Sequence, residues 1–285
     1  LIDARIALVP KDDPKHDQSV IDAIEEHNIE ASILKVAGSE ALNYCIDECL
    51  QIHGGYGFTE EYPVAKPYRD ARVNRIFEGT NEINRLLIPG TLLKRALKGK
   101  LPLMQLVAQT ETELANAASS QTAASPMSAL PKAGDTLLAA EAQSTELAKR
   151  QFALVVGAAA TKLAAALEKH QDVLSDLADV VIDVFSMDSV ITRARQATAK
   201  FGAPKATLHV ALARLTVAEA AERVTLNARH VATAVLEGAE LDALLAKLAK
   251  LNEAQYQAAR PANLTALRED IASQIVELGG YTLPV

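Results

Sequence analysis

The stretch Gln51-Ile-His-Gly-Gly-Tyr-Gly-Phe58, followed downstream by Ile76-Phe-Glu-Gly-Thr-Asn-Glu-Ile83, decides how this chain reads. Just upstream, Leu42, Cys45, Ile46, Cys49 and Leu50 recur at helical spacing, so one face of a helix is apolar. Gly54 and Gly55 end that helix, as glycine does where φ must turn positive. Glu78-Gly79 then stands immediately before another helix, expected from about Thr80 to Leu97. Thr80 and Asn81 are both capping types. Each motif therefore marks a helix end, and the second puts one carboxylate beside one glycine.

Working outward, the chain reads as all-α. Of its 285 residues 49% are hydrophobic and only 4% aromatic, without tryptophan. Alternating Val/Ile/Thr runs are scarce. A long helical stretch is expected from about Ser19 to Ile52, broken near Asn28 or at Gly38, with Ser39 as a cap. Residues 56–77 read as a loop carrying Pro63 and Pro67. Residues 116–135 are small and polar and form the heart of a linker placed at 101–136. A second bundle follows over 137–285, punctuated by Gly202-Ala-Pro204, Gly238, Arg260-Pro261 and Gly279-Gly280. The first domain is thus 1–100. The chain opens on Leu1 within an apolar helical pattern (Leu1, Ile2, Ile6, Leu8, Val9), which reads as a fragment lacking an N-terminal part.

The net charge of −7 argues against a general nucleic-acid binder, which needs a basic face. Two cysteines make no disulfide framework and favour a reducing compartment. The longest apolar run, Phe152 to Ala160, is too short to cross a bilayer. Cys45, Cys49 and His53 share a helix face, but their rise spreads them too far apart for one metal ion. They read as packing residues. Asp172, Asp176, Asp179 and Asp183 read as a solvated stripe, and no metal site is expected. Leu92 to Val107 mixes four cations with apolar residues and could touch an anionic membrane surface; Gly99 and Pro102 interrupt it as a helix.

Glu78 suits general-base work. A carboxylate whose pKa is raised by burial can take a weakly acidic proton next to a carbonyl that is itself hydrogen-bonded. Gly79 lets a substrate chain approach the backbone. The helix start behind it offers N–H groups and a dipole that favour anions. Gln51 supplies both donor and acceptor groups, and the adjoining glycines allow a flat or phosphorylated ligand to come close.

Phe77-Glu78-Gly79-Thr80 together with Gln51-x-x-Gly54-Gly55-x-Gly57-Phe58 resembles the C-terminal signature of the acyl-CoA dehydrogenases, over about residues 28–100. The resemblance implies the C-terminal part of their four-helix-bundle domain, with Glu78 as catalytic base and Gly79 at the substrate. It implies FAD contacts from Gln51, Gly54 and Gly55, and a second FAD segment at Thr80, Asn81 and Glu82. Many members carry glutamine or aspartate where Glu82 stands. Tyr68-Arg-Asp-Ala-Arg72 is similar to the family's Arg-Asp pair; Arg69, Asp70 and Arg72 read as structural ion pairs, and Arg72 or Arg75 could steer CoA phosphates. The extra bundle looks like the very-long-chain branch, which implies a homodimer, electron-transfer flavoprotein as acceptor, and peripheral membrane contact. The setting is then bacterial cytoplasm or mitochondrial matrix. The family's N-terminal and β domains have no counterpart in this sequence, so the chain alone is not expected to hold FAD tightly. An acyl-CoA oxidase, and a dehydrogenase-like scaffold with a vestigial site, stay open as alternatives.

Overall fold

The computed structural model describes residues 6–119, 136–259, 263–280 and 283. The expectations at Leu1 and Ile2, for 120–135 and at Arg260-Pro261 lie outside these residues. The described residues contain helices and no strand. The chain divides into two compact units, Leu1–Leu97 and Lys98–Val285.

The first unit holds α1 (His16–Glu26), α2 (Asn28–His53), the single turn α3 (Gly55–Phe58), α4 (Ala65–Val73) and α5 (Asn81–Leu97). α2 packs against α4 and α5. Its core is small: Ala23, Ile29, Ile33, Val36, Val64, Ala71, Ile88 and Ala96 are buried. The break falls at His27, and α2 runs through Gly38 without interruption. Ser39 is therefore not a cap. It is buried, and its hydroxyl donates back to the Val36 carbonyl at 3.1 Å. A helix also occupies 65–73, where a loop was expected. Pro67 falls in its first turn, where no N–H is needed, and burial of Val64 and Ala71 anchors it.

α2 is buried only over its first half, from Ile29 to Ser39. Beyond that point it buries no side chain among the described residues, and Cys45 and Cys49 are exposed rather than packed. No group of metal-ligating side chains occurs among the described residues.

The second unit holds α6 (Leu103–Ser119), α7 (Ala139–Leu163), α8 (Gln171–Phe201), α9 (Thr207–Val235), α10 (Gly238–Ala258) and α11 (Leu264–Glu277). α6 replaces the first part of the expected linker, and the unit starts earlier than residue 137. Its Leu103 and Leu114 are buried, and Glu113 pairs with Arg150 of α7 at 2.9 Å. Gly157 lets α6 come close: a Cβ there would sit 3.0 Å from Val107 Cγ1. α7 is the central helix and touches α6, α8, α9 and α10. Side chains from Ser144 to Ala159 are buried around most of its circumference. Its one fully buried amide, Gln151, is satisfied by Gln255 of α10 at 2.7 Å. α11 lies against α9, with Ile271 packed on Leu208 and Ala211.

The acidic stripe on α8 is not wholly solvated. Asp183 is buried and accepts from the Arg223 guanidinium of α9 at 2.7, 3.0 and 3.2 Å. An arginine one helix away turned a surface position into an interhelical one. Among the described residues, no helix is long and apolar enough to cross a membrane. The Leu92–Val107 segment is split, since α5 ends at Leu97 and α6 begins at Leu103.

Candidate active site

The first unit places the two motifs at the C-terminal end of α2 and the N-terminal end of α5. Gly54 takes φ +59°, a value L side chains avoid, and ends α2 as the sequence predicts. Gly57 is required for a different reason: a Cβ there would lie 2.7 Å from the Leu50 carbonyl oxygen and 2.9 Å from His53 Cβ. The Tyr56 and Tyr62 rings lie 5.0 Å apart over this turn. Gln51, Gly54 and Gly55 are exposed. A Cβ at either glycine would meet nothing within 4 Å, so the turn leaves open surface.

Glu78 is exposed, not buried as a general base calls for. Its carboxylate has no partner among the described residues. Its backbone is unusual: φ is +54°, in the left-handed region that a residue with a Cβ enters at a cost of about 1 kcal/mol. Gly79 follows at φ +81°. Two successive left-handed residues turn the chain sharply into α5.

The start of α5 is closed by its own residues. The Asn81 N–H donates to the Arg75 carbonyl at 3.1 Å, and the Ile83 N–H to the Thr80 hydroxyl at 3.3 Å. The Glu82 carboxylate accepts from its own N–H and from the Thr80 hydroxyl, and these bonds hold it below the usual carboxylate range. Two of the N–H groups at the start of α5, those of Asn81 and Ile83, are therefore engaged within the chain. Short polar side chains at 80–82 did what capping residues do.

Asn81 departs furthest from its expected role. It is 1% exposed, and its side-chain amide is engaged at both oxygen and nitrogen. Its Oδ1 accepts from Lys35 at 2.7 Å and Ser39 at 3.2 Å. Its Nδ2 donates to Ser39 at 3.0 Å and Glu40 at 3.1 Å. The single Ser39 hydroxyl proton is shared between Asn81 and the Val36 carbonyl, so Lys35 is the firm donor to Asn81 Oδ1. Glu40 in turn takes both arms of Arg85, at 2.6 and 2.9 Å. Burial alone would raise the Glu40 pKa. Arg85, then Asn81 and the charge of Arg75, outweigh it and hold the carboxyl below its ordinary value.

Sequence reasoning missed this cluster of Lys35, Ser39, Glu40 and Arg85. The available signal was the i, i+4, i+5 spacing of three polar residues beside the buried Ile33 and Val36. The expected ion pairs at Arg69, Asp70 and Arg72 do not form among the described residues. All three are exposed on α4, which buries only Ala71.

Comparisons with known proteins bear on the fold and the family. The model of the acyl-CoA dehydrogenase C-terminal domain matches residues 18–93. A second model with the same description matches residues 147–250. A probable acyl-CoA dehydrogenase of Bacillus subtilis is 37% identical over 99% of this chain and 45% of its own length. The mitochondrial very long-chain specific acyl-CoA dehydrogenase of rat is 34% identical over 71% of this chain and 32% of its own length. A crystal structure of an acyl-CoA dehydrogenase complexed with FAD from Bacillus anthracis superposes with a TM-score of 0.86. It is 37% identical to this chain, covering 99% of it and 45% of the larger protein. The chain thus spans less than half the length of these relatives. Matched in both of its helical units, it belongs to the acyl-CoA dehydrogenase family, in the C-terminal helical region of its members.

Proposed function

We propose that this chain forms the C-terminal helical part of an FAD-dependent acyl-CoA dehydrogenase that desaturates an acyl thioester, of long chain, between its α and β carbons. The observation that carries the reading is Glu78: an unpartnered carboxylate held at a left-handed turn before α5. It takes the α proton, while a bound flavin supplies the acceptor for the β hydride, leaving a trans-2-enoyl thioester. Gly79 lets the thioester approach the backbone.

Two separate segments would contribute to FAD in this reading, since α2 carries the Gln51 turn roughly 22 Å beyond Ser39, where Asn81 docks. The open turn at Gln51, Gly54 and Gly55 is one segment, and Thr80 and Glu82 belong to the other. Asn81 stands between Thr80 and Glu82 at the start of α5, its side chain fastening the helix end to α2 and its backbone the part proposed to face the cofactor. Glu78 is exposed in this chain, so a dry pocket must be closed by protein beyond these residues. Turnover therefore belongs to the longer protein or complex that contains them. Electron-transfer flavoprotein is the proposed acceptor, and bacterial cytoplasm or mitochondrial matrix the setting.

The second unit is proposed to support a homodimer. Removal of 98–285, rather than of 137–285, is the relevant deletion because α6 packs on α7. Light scattering should then report a changed mass. Peripheral contact with an anionic membrane belongs to the same proposal, through Lys98 and Lys100 beside the exposed Leu97. Co-sedimentation with anionic vesicles tests it.

The central test is Glu78→Gln in the flavin-loaded protein that contains this chain, under anaerobic conditions. Acyl-CoA should no longer bleach the flavin absorbance although flavin remains bound. Bleaching at the unaltered rate would remove Glu78 from the role of base. A protein that holds no flavin even before mutation would bring the scaffold reading forward.

A further inference from the structure

Glu78 and Gly79 form a strained corner, and an exposed corner of this kind persists only where neighbouring groups over-determine it. The Gly79 carbonyl shows how. It accepts from Lys35 Nζ at 2.7 Å and from Asn84 Nδ2 at 2.9 Å, so both of its lone pairs are used. Lys35 also donates to Asn81 Oδ1 at 2.7 Å. Asn81 is itself clamped by Ser39 and Glu40, one helical turn further along α2. A single ammonium thus ties the turn that carries the candidate base to the long helix α2. It reaches across 44 residues of sequence to the carbonyl immediately after that base.

We propose that Lys35 is the positioning residue for proton abstraction by Glu78. This rests on the reading of Glu78 given above. By holding the Gly79 carbonyl and Asn81 together, Lys35 fixes the left-handed backbone of Glu78. It thereby fixes the direction from which the carboxylate meets the α carbon. Lys35 does not touch substrate in this scheme. A charged donor suits the task, because a charge-assisted bond to a carbonyl is stronger than a neutral one. An apolar side chain could fasten α2 to α5 but could not hold a carbonyl.

The test uses the flavin-loaded protein with three variants. Lys35→Met keeps the stem and removes the donors. Lys35→Arg restores donors. Glu78→Gln serves as the reference. Flavin content, melting temperature, acyl-CoA affinity and the anaerobic bleaching rate at saturating acyl-CoA are measured across pH. In Lys35→Met, flavin content and affinity should hold, while the bleaching rate per bound flavin falls about 10²-fold, as expected for a base displaced by about 1 Å. Lys35→Arg should recover part of that rate.

A Lys35→Met protein that bleaches at the unaltered rate per bound flavin overturns the proposal, even if it melts earlier. Should Lys35→Met fail to fold, Lys35→Gln keeps one neutral donor in place of the ammonium and shortens the stem by about one methylene. Lys35→Gln should slow bleaching by a smaller factor than Lys35→Met would, and an unaltered rate per bound flavin there would also overturn the proposal. If Glu78→Gln itself bleaches normally, the failure lies in the assignment of Glu78 and not in that of Lys35.

Discussion

In the first unit Ile52, Tyr56 and Phe58 stand 82%, 67% and 80% exposed; in the second, Leu147, Val155 and Met187 are fully buried. Most of the exposed large apolar side chains among the described residues lie before residue 98. The contrast follows from helix placement. α7 has a neighbour on nearly every side, whereas α2 is covered over only half its length. The two units differ in how much of their apolar side chains they bury among themselves.

The largest effect that could break this contrast comes from separating the units. Residues 98–285 alone should melt in one cooperative transition followed by circular dichroism. Residues 1–97 alone should show no sharp transition and should bind a hydrophobic dye. An equally cooperative melt from 1–97 would show that its exposed face is tolerated in water.

Single ion pairs sharpen the comparison at a smaller scale. Arg223→Ala leaves Asp183 buried without its partner, and should cost about 3 kcal/mol in denaturant unfolding. Arg85→Ala strips a carboxylate that is 35% exposed, so its cost should be about 1 kcal/mol. Equal costs would mean that burial does not distinguish the two pairs.

The smallest effect is a pH dependence confined to the first unit. The folded-state pKa of Glu40 lies below its unfolded value. Its contribution is therefore fully present above about pH 4.3, the ordinary glutamate value, and is lost as pH falls through the lower folded value. Glu40→Gln should flatten that acid-side loss in urea titrations of the whole chain. An unchanged slope would show that Glu40 is not its source.

Helix identity and punctuation were legible wherever local chemistry decided them. Gly54 and Gly202 end helices at positive φ, as their type requires, and Thr80 caps α5. Tertiary burial was not legible. α4 forms despite two nearby prolines because Val64 and Ala71 have a core to enter. α6 forms within the first part of the 101–136 linker, mostly ahead of the small polar stretch at 116–135, because Leu103 and Leu114 pack in the second unit. At the site, the positions of Glu78, Gly79 and the Gln51 turn were readable from their motifs. The engagement of Asn81 was not, since its partners lie more than 40 residues away in sequence.

The left-handed backbone at Glu78 sets two kinds of selection against each other. Glycine or asparagine at that position would relieve the strain, so Glu78→Gly should make the chain harder to unfold. The same change deletes the carboxylate. A screen for heat resistance and a screen for turnover would then choose different residues at position 78, and a natural chain that keeps glutamate there carries the mark of the second.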